Sequence, residues 1–361
     1  MRRGRICPTV LSVPDFNSKG LLMTPYSLYV GADISAETIA IAWQHTATDE
    51  MEQMDIAQHH ADFKRLARRL GQLAAPAQTL VVMEATSTYW MMLALFLHEA
   101  GFGVSVINPA RSRHFARMQL QSTKTDALDA RLLVDFARMV QPTLWTPPPP
   151  ICHQLHQRLS QRQDLLAIKG QEQNRLHALR HNPLADPSLL QRLHRHLRFL
   201  AGEIKTLDNE LKALLRGDHE WADAARRLLT ITGIGYITAA WILVATHNFA
   251  FCDNPEQAAA FAGLAPHARD SGSSVRGKRS VGKGGHAALR QTLYMAAASA
   301  ARYNPPIQTF YDRLVRRGKL KKVARCAAAR KLLHIAWAVV VKQRDFDPNY
   351  GQTAALTRLA A

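Results

Sequence analysis

The sequence predicts an N-terminal α/β domain with a mixed sheet, then long paired helices and a basic, mainly α-helical C-terminal domain. Between residues 27 and 120, short apolar runs alternate with helical patterns, which is typical of a sheet covered by helices. A leucine repeat further along the chain indicates a coiled coil. From Ser271 to Asp345 the chain is rich in cations and contains only two acidic residues, Asp312 and Asp345.

The N-terminal elements follow from local hydrophobic patterns. The predicted strands are Ser27–Asp33, Thr38–Trp43, Thr79–Met83 and Gly103–Ile107, and the predicted helices are Asp55–Leu73 and Tyr89–Ala100. Two carboxylates stand at strand ends: Asp33 closes the first strand and Glu84 follows the third. Sites in open α/β sheets lie outside the carboxyl ends of strands, so these two acids are candidate site residues.

A second pair of carboxylates begins the helix predicted from Lys124 to Phe136. Thr125 can cap this helix, and Asp126 and Asp129 stand three residues apart on one face of its first turn. Two oxygen ligands on one edge are half of a site for a hard divalent cation. Taken alone, the pair is explained more simply by helix capping. The strand-end acids Asp33 and Glu84 favour the metal-site interpretation.

Composition changes divide the chain into five segments. We expect an N-terminal extension at 1–26, the α/β domain at 27–146, a Pro-rich linker with coiled-coil helices at 147–220, the basic domain at 221–350 and a tail at 351–361. The connector helices are predicted at Ile151–Arg180 and Pro187–Arg216, with a seam formed by Leu200, Ile204, Leu207, Leu211 and Leu214. The seam is compatible with an antiparallel hairpin within one chain and with a dimer interface, and the sequence does not choose between them.

The charge of the chain favours a polyanionic partner. The 361 residues carry a net charge of +18, with a pI of about 10.2. No apolar run is long enough to span a bilayer, so nucleic acid is favoured over a membrane. Four cysteines without a CxxC pair indicate a reducing compartment and argue against structural zinc.

Two C-terminal stretches each allow two interpretations. Leu228–Gly235 and the helix after it resemble a helix-hairpin-helix that binds DNA phosphate, or a simple packing corner. The Gly- and Ser-rich stretch Asp270–His286 is a flexible basic linker, or it presents Ser271 to a phosphodiester. The candidate nucleic-acid-binding residues are Arg276, Lys278, Arg279, Lys283, Arg316, Arg317, Lys321 and Lys322.

Several blocks together resemble one family. They are Gly31-Ala-Asp-Ile-Ser35, Val82-Met-Glu-Ala-Thr86, Val104-Ser-Val-Ile-Asn-Pro109, Lys124-Thr-Asp-Ala-Leu-Asp-Ala-Arg131, Ile234-Gly235, Phe261-Ala-Gly-Leu264, Ser271-Gly-Ser-Ser-Val-Arg-Gly277 and Arg330-Lys-Leu332. In order and spacing the sequence resembles the insertion sequence 110 family of transposases, also described as bridge-RNA-guided DEDD recombinases. The resemblance extends from about Tyr29 to about Pro348.

The resemblance implies more than the residue patterns do. It implies a RuvC-like domain of the RNase H type, a coiled-coil connector and a transposase domain. It also implies an acidic set of Asp33, Glu84, Asp126 and Asp129 that binds Mg²⁺, or Mn²⁺ in its place, and a catalytic serine at Ser271. The implied partners are donor and target DNA, a noncoding guide RNA and further copies of the chain, as a dimer or a tetramer. The implied location is the cytoplasm, at the bacterial nucleoid.

Two other functions remain as alternatives. One is a hydrolytic RuvC-like junction nuclease that uses the carboxylates and in which Ser271 is structural. The other is a non-catalytic nucleic-acid-binding protein. Metal-dependent cleavage would exclude the second, and a covalent DNA–protein adduct would exclude the first.

Overall fold

The fold consists of two compact units, residues 1–147 and 148–361. The computed structural model describes residues 26–48, 50–119, 126–267, 270–271, 275–276, 280–281 and 284–350. For residues 126–127, and for 267 and the strand residues from 270 to 281, it describes the backbone alone. The predicted N-terminal extension and C-terminal tail lie outside these ranges, except for Tyr26.

A mixed sheet forms the centre of the first unit, as predicted, but it has five strands where the sequence predicted four. Its strands are β1 Leu28–Ile34, β2 Thr38–His45, β3 Met51–Ala57, β4 Thr79–Glu84 and β5 Gly103–Ile107. Their order in the sheet is β3-β2-β1-β4-β5. β1 pairs antiparallel with β2 and parallel with β4, and β4 pairs parallel with β5. This mixed sheet is compatible with the predicted RNase H-like fold.

Two elements of the first unit differ from the prediction. The helix predicted at Asp55–Leu73 is wrong at its start, because β3 continues to Ala57 and α1 occupies His60–Leu73. The reason is that β3 is an edge strand in which Ile56 alone is buried, so its sequence need not alternate between apolar and polar residues. Helix α3, Pro109–Met118, was not predicted; Asn108 caps it by accepting a hydrogen bond from Ala110 N at 2.8 Å.

Helices cover both faces of the sheet. α1 and α2, Trp90–Glu99, pack on one face, where Val30, Phe63 and Leu93 are fully or almost fully buried. α3 and α4, Asp126–Val140, pack on the other face. Phe115 of α3 and Phe136 of α4 meet edge to face, with ring centroids 5.3 Å apart. The second face is the one that carries the candidate site.

The second unit begins with a long helical hairpin. α5, Pro150–Arg180, and α6, Pro187–Arg216, run antiparallel within one chain. Arg158 pairs with Glu210, and Arg162 pairs with Asp208, which fixes their antiparallel register. The predicted seam is largely correct, but Leu215 is buried at its end where Leu214 was predicted. The intramolecular hairpin is therefore observed; the dimer interface remains a prediction.

The remaining helices form one core with the base of this hairpin. They are α7 Ala222–Leu229, α8 Tyr236–Thr246, α9 Pro255–Phe261, α10 Ala287–Tyr303, α11 Pro305–Arg316 and α12 Lys321–Val341. Among the residues described between α9 and α10 there are four two-residue strands: β6 Pro266–His267, β7 Asp270–Ser271, β8 Val275–Arg276 and β9 Ser280–Val281. In the described ranges, no helix has the length and apolar character needed to cross a membrane.

The corner between α7 and α8 is a packing corner. Gly233 has φ +101°, and a Cβ there would lie 2.6 Å from the Cβ of Ala300 in α10. The nine residues from Thr238 to Thr246 are all buried. Close packing accounts for Gly233, the first glycine of the Gly-Ile-Gly sequence, and this favours the structural interpretation of the corner over DNA binding.

Candidate active site

Asp33 and Glu84 lie side by side at the carboxyl ends of β1 and β4. The parallel ladder runs from Leu28 opposite Thr79 to Ala32 opposite Met83. The next position on each strand is Asp33 and Glu84, respectively. Because neighbouring strands are about 4.8 Å apart, the two acids are separated by roughly one strand spacing.

Both acids belong to the face of the sheet that α4 covers. Side chains along a strand alternate between faces, so Asp33 shares its face with Tyr29, and Glu84 shares its face with Leu80. Tyr29 and Leu80 are buried in the core beneath α4. Asp33 and Glu84 themselves are half-buried. The strand register thus brings both predicted acids to one face and one edge.

Helix α4 runs antiparallel to β1. Gln141, just after the helix, donates from Nε2 to the Tyr29 hydroxyl at 3.1 Å, near the start of β1. Further along the strand, Gly31 faces the backbone of Ala130, in the first half of the helix. The beginning of α4 therefore lies towards the carboxyl end of β1, where Asp33 stands.

This direction brings the first turn of α4, which holds the second predicted pair of acids, to the same edge. α4 begins at Asp126, and Asp129 is half-buried one residue before the contact with Gly31. Asp126 is described by its backbone alone, so three of the four acids have described side chains. Among the side chains that are described, no group of three or more His, Cys, Asp or Glu residues is arranged to hold a metal ion.

The donor chemistry at this edge fits a hard cation. All four candidate residues offer carboxylate oxygens, and none offers sulfur or imidazole nitrogen. Oxygen-only sets are those in which Mg²⁺ and Mn²⁺ bind to proteins, whereas zinc prefers nitrogen and sulfur. Assignment of the metal to these residues remains a prediction.

Gln58 joins the two loops that leave this edge, and the sequence analysis did not single it out. Its Nε2 donates to Ser35 O and to Tyr89 O, both at 3.1 Å. Ser35 follows Asp33 by two residues, and Tyr89 lies in the loop after Glu84. Gln58 comes from the end of β3, so only the tertiary fold reveals this link; no local sequence signal marks it.

Gly31 is a second residue whose role the sequence analysis did not explain, although it opens the Gly31-Ala-Asp block. A Cβ there would lie 2.1 Å from Ala130 O and 2.8 Å from the Cβ of Leu133. Only glycine lets α4 approach β1 this closely. A glycine inside a strand pattern signals close backbone approach, and that signal was available in the sequence.

Ser271 lies in a short hairpin of the second unit. β6 pairs with β9, and β7 pairs with β8, so that Ser271 stands opposite Val275 and Asp270 stands opposite Arg276. The predicted flexible linker therefore contains antiparallel pairing. The positions of Gly272, Ser273, Ser274, Lys278, Arg279 and Lys283 lie outside the described residues. The side chains of Ser271 and Arg276 lie outside them as well.

The other predicted nucleic-acid-binding residues cluster where α11 ends and α12 begins. Arg316, Arg317, Lys321 and Lys322 are all exposed at this turn, and Lys319 is exposed between them. We call these five residues the α11–α12 cation cluster. Gly318, with φ +78°, lets the chain turn sharply between the helices.

The cation cluster differs from other cations of the second unit. Arg226 and Arg227 pair with Asp223 and Asp345, and Arg158 pairs with Glu210. Within the part of the chain that is described, no carboxylate forms an ion pair with the cluster. Its positive charge faces solvent, which is the arrangement expected of a phosphate-binding surface.

Two protein families match separate parts of the chain. Residues 30–183 match the DEDD transposase family of insertion sequence IS110, described as a transposase. Residues 225–312 match the family described as transposases of the IS116/IS110/IS902 family. The first match contains all four candidate acids, and the second contains Ser271.

Individual relatives agree with these matches. The chain is 31% identical to the pilin gene-inverting protein of Moraxella bovis over 324 residues, covering 88% of this chain and 97% of the relative. The pilin gene-inverting protein of Moraxella lacunata is 32% identical over 271 residues, or 74% and 81% of the two chains. The transposase for insertion sequence element IS1328 of Yersinia enterocolitica is 32% identical over 167 residues, covering 44% and 47%.

Proposed function

This chain belongs to the IS110 family of DNA transposases, and from that premise we propose that it cuts and rejoins DNA with two sets of residues. The first set is the acidic edge of the N-terminal unit: Asp33, Glu84, Asp126 and Asp129. The second is Ser271 in the hairpin of the C-terminal unit. The proposed substrates are a donor and a target DNA, selected by a noncoding guide RNA.

One observation carries the acidic half of the proposal. Asp33 and Glu84 are the next residues of β1 and β4 beyond the parallel ladder that pairs these strands, on the face that α4 covers. The antiparallel direction of α4 adds Asp129, and the backbone of Asp126, at that edge. The four acids span almost a hundred residues of sequence, so local helix capping does not explain their placement on elements that end at one edge of the sheet.

We propose that these carboxylates hold Mg²⁺, or Mn²⁺ in its place. A bound divalent ion supplies charge neutralisation at a scissile phosphate. The carboxylates of Asp33 and Glu84 would provide ligands from the rigid sheet, and those of Asp126 and Asp129 would provide them from the first turn of a helix. Gln58 would keep the loops after the two strands from separating. The arrangement on regular elements favours a fixed geometry.

In the second half of the proposal, Ser271 is the nucleophile. Its Oγ forms a bond to phosphorus while the bond from phosphorus to one sugar oxygen breaks. The serine gives up its proton, and the departing sugar oxygen takes one up to become a hydroxyl. A hydroxyl of another strand then reverses the step at the serine ester, so rejoining needs no ATP. Arg276 and the other loop cations are proposed to neutralise the phosphate.

The relatives and the charge support a recombination reaction on DNA. The names of two relatives describe inversion of a pilin gene, which requires cutting and rejoining two DNA sites. The α11–α12 cation cluster provides a surface for nucleic-acid phosphate. Because two sites must be cut and rejoined together, we propose that a homo-oligomer acts, as a dimer or a tetramer.

A nicked suicide substrate tests the proposal. The protein is purified with its co-purifying RNA, the RNA is sequenced to identify the paired DNA, and that DNA is nicked near the cleavage site. Denaturing gels should then show a DNA–protein adduct with wild type and none with Ser271→Ala.

Three other outcomes would contradict parts of the proposal. An adduct that persists in Ser271→Ala but disappears in Ser273→Ala or Ser274→Ala moves the nucleophile to that serine. Cleavage without any adduct indicates hydrolysis, as in a junction nuclease. Absence of a discrete co-purifying RNA would contradict guidance by RNA.

A further inference from the structure

The hairpin that carries Ser271 begins and ends at two glycines in contact. Gly263 has φ +67° and Gly285 has φ +79°. A Cβ on Gly285 would lie 2.5 Å from Gly263 N and 2.7 Å from Gly263 Cα. Beside them, His286 N donates to Phe261 O at 2.9 Å. The two ends of the hairpin therefore meet in a constriction with no room for a side chain.

Arg290 fixes this constriction to helix α10. Its Nη1 donates to Gly284 O at 2.7 Å. On the other side, a Cβ on Gly263 would lie 2.2 Å from the same Nη1. Helix α10 is itself anchored in the core, because Leu289 and Leu293 are fully buried. We call Gly263, Gly285 and Arg290 the neck of the hairpin.

Two short ladders lie between the ends of the hairpin, and the second of them contains Ser271. Pro266 pairs with Val281 and His267 with Ser280, and the next ladder places Ser271 opposite Val275. Such short ladders have few hydrogen bonds with which to hold their own register. A slip of one residue turns every side chain to the opposite face. The register at Ser271 is therefore set largely where the two ends of the hairpin are joined.

We propose that the neck positions Ser271 for the transfer reaction, with Arg290 as the positioning residue. The guanidinium and the glycine contact hold both ends of the hairpin in one register on a rigid helix. Ser271 would then keep its place in the ladder opposite Val275. This inference rests on the proposed nucleophilic role of Ser271 for its catalytic consequence, but the effect on the hairpin can be measured independently.

Matched substitutions separate the neck from general effects on the fold. Gly285→Ala fills the glycine contact, and Arg290→Gln removes the cationic donor to Gly284 O. Gly235→Ala is the glycine control, because a Cβ there meets nothing within 4 Å. Arg302→Gln, at the exposed end of the same helix, is the arginine control.

Three measurements are made on the full-length protein with its RNA. Hydrogen exchange at residues 264–284 should be at least tenfold faster in Gly285→Ala and Arg290→Gln. Adduct yield on the nicked substrate should fall at least tenfold in both, with DNA affinity within threefold of wild type. Arg290→Lys, which keeps a cationic donor, should recover part of the adduct. The two control variants should match wild type.

Each contrary result has a defined meaning. Unchanged exchange in both neck variants overturns the proposal, and so does faster exchange with full adduct yield. Thermal unfolding shows whether Gly285→Ala folds. If it does not, the hydrogen exchange and adduct yield of Arg290→Gln alone test the proposal. If Ser271→Ala still forms the adduct, the nucleophile assignment fails, whereas the exchange measurement still decides whether the neck orders the hairpin.

Discussion

Gly31 of β1 lies directly against the carbonyl oxygen of Ala130 in α4, so close that a Cβ would stand 2.1 Å from that oxygen. The same Cβ would stand 2.8 Å from Val134 N. This contact sets the distance between the helix that begins with Asp126 and the strand that carries Asp33. The geometry of the acidic edge therefore depends on the absence of one side chain.

We expect Gly31→Ala to destabilise the protein and to disable the acidic edge. The added methyl group forces α4 away from the sheet, which should cost about 1–3 kcal/mol of unfolding free energy. Urea unfolding measures this loss, and DNA cleavage in Mg²⁺ should fall with it. Gly71→Ala is the control, because nothing lies within 4 Å of a Cβ on that helical glycine. Wild-type stability in Gly31→Ala would contradict the close contact.

Single substitution of each of the four acids by Ala should abolish strand cleavage. Loss of one ligand or one stabilising charge typically lowers a rate by about a hundredfold or more. The same variants should also bind Mn²⁺ more weakly. Electron paramagnetic resonance measures this binding independently of DNA cleavage. Asp55→Ala removes an exposed carboxylate from the edge strand of the same sheet and should change neither result. Wild-type cleavage by Asp126→Ala would remove that residue from the set.

The α11–α12 cation cluster should make binding sensitive to salt. Each phosphate contact contributes about 0.9 to the slope of log affinity against log salt concentration. The double substitution Arg316→Ala/Arg317→Ala should therefore reduce this slope by roughly two. Arg226→Ala serves as the control, because that guanidinium already pairs with Asp223 and Asp345. An unchanged slope in the double variant would place the contact surface elsewhere.

His286 should make the stability of the second unit depend on pH. Burial, followed by the nearby His156, lowers the pKa of His286 to about 4, and its Nδ1 accepts the Leu289 N–H that caps α10. The pKa of an unfolded histidine is about 6.5. As the pH falls from 6.5 to 4, the unfolded chain gains a proton that the folded chain does not. Stability is therefore full above pH 6.5 and declines below it.

The variant His286→Asn keeps a capping acceptor and removes the titration. Between pH 7.5 and pH 4.5, it should lose about 2 kcal/mol less unfolding free energy than wild type. Urea unfolding at the two pH values measures the difference. His194→Asn, on the exposed part of α6, should behave as wild type does. Equal losses in wild type and His286→Asn would show that the imidazole is charged in the folded protein.

The sequence by itself determined the elements whose residues make a regular pattern. Strand β5 has the predicted limits Gly103–Ile107, because a short apolar run marks it locally. Helix α6 has the predicted limits Pro187–Arg216, because its leucine repeat has the period of a helix. β3 was not predicted, because an edge strand buries little and so needs no apolar alternation. Asn108 marks the start of α3, but Pro109 was interpreted as the end of β5 and not as the first residue of a helix.

Within the candidate site, the sequence determined which residue types are present, and the tertiary structure decided which of them meet. Strand ends and a helical spacing of three identified Asp33, Glu84, Asp126 and Asp129 as candidates. Their shared edge depends on the parallel register of β1 with β4 and on the direction of α4, which are set by backbone hydrogen bonds and packing between distant segments. The links made by Gln58 and Arg290 likewise join residues by contacts to backbone carbonyls. Every residue has a backbone carbonyl, so no residue type in the sequence identifies the partners of Gln58 and Arg290.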